Sequence, residues 1–322
     1  MTPVRFEADH AATWDEFDAQ LKLARQGKAV DGALLAARYR RVCENLALAR
    51  SRDYPMHLVA RLEALAQEAH ELIYRRQDYG LRRLGTLLRH ELPCAVRGQG
   101  RYVLWALALF GLPLLLSYLL AHHGPDFALR LMDAAQLRRY ESMYADGKNA
   151  LGRVREADGD WQMFGFYILN NVGIGFRCFG AGILAGVGSA LVMVYNGLAI
   201  GAVAGHLTRV GLGHNFWPFV VTHSAFELTG IVLAGAAGLR IGVGWLAPGR
   251  MTRLDALRTA ALAAVPLVYA AFFLLLVAAA FEAFWSSAAW IAPSVKYGVA
   301  ALCWALVLGW LLLLGRGGSH AR

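Results

Sequence analysis

Six stretches of about twenty apolar residues occupy the last two thirds of the chain, at 102–121, 164–184, 187–208, 217–239, 260–284 and 295–315. Each is long enough to cross the hydrocarbon layer as a helix, which takes about 20 residues at about 1.5 Å per residue. The first hundred residues follow a different pattern. There, apolar positions recur every three to four residues within polar segments, as in Leu35, Tyr39, Val42, Cys43 and Leu46, and again in Leu58, Leu62, Leu65, Ala69 and Leu72. This spacing predicts amphipathic helices over 11–27, about 30–51 and about 56–90, joined at Asp31-Gly32 and Asp53-Tyr54-Pro55. The expected fold is all-α. A helical bundle at 1–100 precedes a polytopic membrane bundle of about six spans at 101–316, with a short tail at 317–322.

Charge gives this picture an orientation. Arg82, Arg83, Arg89, Arg97 and Arg101 precede the first span against Glu91 alone. Basic flanks mark the cytoplasmic side, so the N-terminal bundle is expected in the cytoplasm. Arg240, Arg250, Arg253 and Arg258 follow the fourth span, the link after the fifth carries no charge, and Arg316 and Arg322 follow the sixth. Six crossings with both termini inside satisfy all of these. The join of the second and third spans, Gly-rich and without a basic anchor, leaves open a re-entrant pair. The loop at 122–161, with 6 basic and 7 acidic residues, is expected outside; its Leu129, Met132, Leu137 and Tyr140 fit a helix at the outer surface, as interfacial helix, partner site or spacer.

Composition agrees with a membrane protein: 57% of the 322 residues are hydrophobic and the mean hydropathy is +0.40. The net charge of +9, with Arg concentrated in connecting segments, suits anionic lipid headgroups rather than nucleic acid. Cys43, Cys94, Cys178 and Cys303 are far apart and read as free thiols. Residues 1–30 lack the apolar core of a signal peptide, so the first span is expected to direct insertion into the membrane. Small-xxx-small pairs at Gly182/Gly186, Gly197/Gly201 and Gly201/Gly205 let helices approach closely, in a tight bundle or a homo-oligomer.

Candidate chemistry lies in the few polar groups within the spans, because each is expensive in hydrocarbon and calls for a partner. They are Asn170, Asn171 and Arg177 in the second span, Asn196 and His206 in the third, and His223 and Glu227, four residues apart on one helix face, in the fourth. After Asp160 the chain has three acids, Glu227, Asp255 and Glu282. Arg177 is therefore the expected deep cation for Glu227, about 5 Å away in depth. Three readings stay open: a polar network that fixes helix packing, a proton or ion relay through His223 and Glu227, and catalysis or metal binding with His206 as a third ligand. There is no HExxH signature, acid cluster or nucleophile elbow, so no catalytic residue, metal or cofactor is assigned.

The segments 166–205, "FYILNNVGIGFRCFGAGILAGVGSALVMVYNGLAIGAVAG", and 222–242, "THSAFELTGIVLAGAAGLRIG", resemble the central block of the stage II sporulation protein M family. The features are the paired Asn, the Gly-rich hairpin, Asn196-Gly197, and His223 with Glu227 four residues on. The N-terminal helices, with Tyr39-Arg40 and Tyr74-Arg75, also look similar to that family. Serine at 224 departs from the family's common His-Gly. The namesake works beside two cell-wall hydrolases as a membrane scaffold. The resemblance implies membership of that family, and the leading expectation is a non-catalytic inner-membrane scaffold whose partners are the lipid bilayer and membrane or envelope proteins. A channel- or transporter-like relay is the alternative, and a membrane-embedded hydrolase the third.

Overall fold

The computed structural model describes residues 2–26, 30–73, 81–145, 157–288 and 290–316. Tyr74-Arg75, the middle of the outer loop and the tail at 317–322 lie outside the described residues. Among the described residues every regular element is helical. The chain forms two compact units, Met1–Leu84 and Gly85–Arg322.

The first unit is built on α1 (Pro3–Arg25), α2 (Gly32–Ser51) and α3 (Met56–Ile73). α1 starts eight residues earlier than its periodicity predicts. Pro3 stands in its first turn, where proline's missing N–H costs nothing and its φ is already helical. Asp31 caps α2 by accepting from the N–H groups of Ala33 and Leu34. Phe6, Trp14, Phe17 and Leu21 of α1 form a buried core with Val42 and Ala49 of α2 and Leu58, Leu62, Leu65 and Ala69 of α3. Except for Cys43, both predicted stripes face that core, with Leu35, Tyr39, Leu46 and Leu72 packed at its margin.

A short helix, α4 (Leu81–Thr86), and a π-helical turn, Leu87–Glu91, lead to α5 (Leu92–Gly98). The second unit continues through α6 (Gly100–His123), the short helix α7 (Ala134–Tyr144), α8 (Ala157–Gly180), α9 (Val187–Arg209), α10 (Gly213–Leu246), α11 (Arg253–Ala280), a π-helical turn at Phe281–Ser286, and α12 (Pro293–Leu313). Among the described residues five segments are long and apolar enough to cross a membrane: α6, α9, α10, α11 with its π turn, and α12. The expected second span is helical too, as α8, but its asparagines and arginine make it more polar than the other five.

α10 is the hub, touching α6, α8, α9, α11 and α12. At 34 residues it is about 50 Å long. Its Gly230, Ala234, Gly235, Ala236, Ala237, Gly238 and Gly242 are buried around the helix; such small side chains are what allow several helices to approach one axis. The α8–α9 hairpin clamps on it: a Cβ at Gly182 would strike the backbone of Gly238, and Gly186, at φ +79°, lies against Gly242. Ser189 Oγ donates to the Cys178 carbonyl at 2.5 Å, closing the hairpin. α6 and α9 form a second seam, where Gly197, Gly201 and Gly205 face the carbonyls of Phe110, Leu114 and Tyr118. Both rows step by four residues, so one turn of each helix meets one turn of the other. At the other end of the unit, Arg97 Nη1 donates to the Leu311 carbonyl at 2.8 Å and Trp310 Nε1 to the Leu88 carbonyl at 2.6 Å.

Candidate functional site

Four helices bring polar side chains to one place. α10 presents Thr222, His223 and Glu227. Helical periodicity of about 100° per residue puts His223 and Glu227 on one face, and His223 Nε2 lies 3.8 Å from Glu227 Oε2. The π turn after α11 presents Glu282 and Ser286. Its wider winding re-aims side chains that a regular helix would turn away, a feature frequent at functional sites. Ser286 Oγ is 2.9 Å from His223 Nδ1. α8 contributes Asn171, 1% exposed, whose Nδ2 donates to Glu282 Oε2 at 3.2 Å. Asn170 Nδ2 in turn donates to Asn171 Oδ1 at 3.0 Å. α12 contributes Lys296, 6% exposed, whose ammonium donates to the Ser286 carbonyl at 2.8 Å. Thr222 Oγ1 donates to the Lys296 carbonyl at 3.3 Å.

One donor atom each from His223, Glu227 and Glu282 lie within 4.8 Å of one another. Aromatic rings stand over the cluster: Phe219 meets His223 edge-on at 5.6 Å between centroids, and Tyr144 of α7 meets Phe216 and Phe219 at 5.1 and 5.9 Å. Asn215 Nδ2 donates to the Tyr144 carbonyl at 2.9 Å and holds α7 there. Burial, and behind it the negative charge of Glu282, raises the Tyr144 phenol well above tyrosine's ordinary value.

Of the seven residues expected in one network, Asn170, Asn171, His223 and Glu227 are brought together; the other three lie elsewhere. Arg177 is exposed, and its Nε donates to the Gly173 carbonyl of its own helix at 3.2 Å. The expected Arg177–Glu227 pair does not form. Six residues beyond Asn171, Arg177 is rotated about 120° from the face that meets the cluster. Asn196 Nδ2 donates to the Val192 carbonyl one turn back at 2.7 Å. His206 Nε2 lies 2.7 Å from Glu141 of α7, and Arg209 Nη2 lies 3.2 Å from His206 Nδ1. His206 thus ties α7 to α9 instead of serving His223 as a companion ligand.

Four members of the cluster lie outside the expected set: Thr222, Glu282, Ser286 and Lys296. Glu282 carried a signal, since it is an acid inside the predicted fifth span. Lys296 lies at the first turn of α12, where a lysine ordinarily reaches toward water. Only the packing of α12 against α10 turns it inward.

The stage II sporulation protein M family profile matches residues 106–287, more than half of the chain. The chain belongs to that family. The stage II sporulation protein M match runs from α6 to the π turn, so it contains Asn170, Asn171, His223, Glu227, Glu282 and Ser286, while Lys296 lies beyond it. The N-terminal helices are matched by a domain of unknown function over residues 4–75; the stage II sporulation protein M match does not reach them. No curated protein and no solved structure matches the chain.

Proposed function

We propose that this stage II sporulation protein M family member is a non-catalytic scaffold of the bacterial inner membrane, crossing it six times with the N-terminal bundle and both termini in the cytoplasm. α8, at 24 residues, is about 36 Å long and can span as the sixth crossing. The Arg-rich flanks favour this orientation. The observation that carries the scaffold reading is the bonding pattern of the cluster. Asn171 reaches from α8 to Glu282, His223 from α10 to Ser286, Lys296 from α12 to the Ser286 carbonyl, and Thr222 from α10 to the Lys296 carbonyl. These bonds hold four helices in one arrangement, the property a platform for membrane or envelope partners needs.

Cross-linking in native membranes, followed by identification of the captured proteins, tests this. Envelope or cell-wall proteins are expected in the wild-type complex. Their absence sinks the scaffold reading. The 3.8 Å spacing of His223 and Glu227 supports one competing reading, a proton or ion relay. Proton flux into liposomes by the wild type, abolished by Glu227→Gln in a folded protein, would replace the scaffold with that relay.

A further inference from the structure

The cluster contains a donor set that packing alone does not require. His223 Nδ1 is engaged by Ser286, which leaves Nε2 as the ring nitrogen facing Glu227. A histidine that ligates a metal ordinarily has its other nitrogen held by a hydrogen bond. Glu282 is oriented by Asn171, and Asn171 by Asn170, the outer-shell support expected of a ligating carboxylate. Glu227 Oε2 lies 3.8 Å from His223 Nε2, too long for a hydrogen bond.

Two carboxylates and an imidazole converge here in a bundle of apolar helices, where each polar group is expensive to hold. The nearby ammonium of Lys296 is directed to the Ser286 carbonyl. The three donor atoms lie within 4.8 Å of one another. Zinc bonds of about 2.0–2.2 Å place tetrahedral ligands roughly 3.4 Å apart. Shifts of roughly an ångström or less per donor, within the reach of glutamate torsions, therefore close the site around an ion.

We propose that His223 Nε2, Glu227 and Glu282 bind one divalent transition-metal ion of the zinc class, with water in the remaining coordination position. One imidazole with two carboxylates suits zinc, iron(II) or manganese(II), and the imidazole disfavours calcium and magnesium. The ion ties α10 to the π turn after α11 and neutralises both carboxylates.

The test uses full-length protein purified in detergent, stripped with chelator and re-equilibrated with zinc(II) or cobalt(II). Metal content is read by mass spectrometry and affinity by competition with a chromophoric chelator. The wild type is expected to hold about one ion per chain and to give cobalt(II) the visible absorption of a low-coordinate site. His223→Ala and Glu282→Gln should each weaken binding at least tenfold. Ser286→Ala leaves all three donors in place and should weaken it roughly 10- to 100-fold by releasing the ring. Size-exclusion profiles and circular dichroism identify variants that remain folded, and the conservative Glu282→Gln serves if His223→Ala does not. Wild-type protein holding no more zinc or cobalt than the folded variants overturns the proposal. That outcome leaves the cross-linking test of the scaffold unaffected.

Discussion

Replacing Gly201 by alanine adds one methyl group where two helices touch. A Cβ at Gly201 would press into the Leu114 carbonyl oxygen and lie 3.0 Å from both the Leu114 carbonyl carbon and Ser117 Cβ. The obstacles are backbone and a Cβ, which cannot swing away as the end of a flexible side chain can. α6 and α9 must therefore separate by roughly an ångström, and overpacking of this kind costs about 1–3 kcal/mol. The same seam holds the hydrogen bond from buried Ser117 Oγ to the Leu198 carbonyl, 2.7 Å long. A separation of that size stretches it past the useful limit of about 3.2 Å and forfeits about 1 kcal/mol more. The sum, about 2–4 kcal/mol, corresponds to a fall in melting temperature of roughly 4–16 °C at about 2–4 °C per kcal/mol for a unit of this size. Cys178 and Cys303 are buried free thiols, so a thiol-reactive fluorophore reports the melt in detergent. Gly298→Ala is the control, because a Cβ there meets nothing within 4 Å; it should leave the melt unchanged or raise it by about 0.4–1 kcal/mol. A Gly201→Ala protein melting within about 1 °C of the wild type, or a Gly298→Ala protein falling as far, would refute the reasoning.

Trp14→Ala should remove the largest fully buried side chain of the N-terminal unit at about 3–5 kcal/mol, seen as rapid proteolysis within residues 2–73 of the full-length chain while the rest stays protected. Raising the pH should destabilise the fold through Tyr144. Its pKa is higher folded than unfolded, so its contribution is complete below the unfolded value of about 10 and is lost as pH climbs above it. Melts between about pH 9 and 12 should show a steeper loss of stability for the wild type than for Tyr144→Phe.

The N-terminal bundle was nearly complete in its letters. Leu58, Leu62, Leu65 and Ala69 recur at helical spacing, and that spacing is the face they bury. What periodicity did not show was the early start of α1, because Phe6 precedes the segment where apolar residues recur regularly. The small-residue rows at Gly182/Gly186 and Gly197/Gly201/Gly205 were likewise visible as rows. The sequence could not say that one row meets α10 and the other α6, because a glycine row marks a close approach without naming what approaches.

The candidate site divides in the same way. His223 with Glu227, and Asn170 with Asn171, could be read from the chain because neighbours along one helix share a face or a turn by geometry alone. Glu282, Ser286 and Lys296 come from elements 55 to 73 residues further on, counted from Glu227 to Glu282 and from His223 to Lys296, and no local rule links them to His223. Arg177 shows the converse: its depth suited Glu227, but its rotation about α8 did not, and α8 buries the face that carries Asn171. Composition and periodicity thus determined that helices form, where the six expected spans lie, and that the polar groups within them needed partners. The tertiary structure alone decided which partner each received, because depth follows from counting residues while azimuth is set by how helices pack.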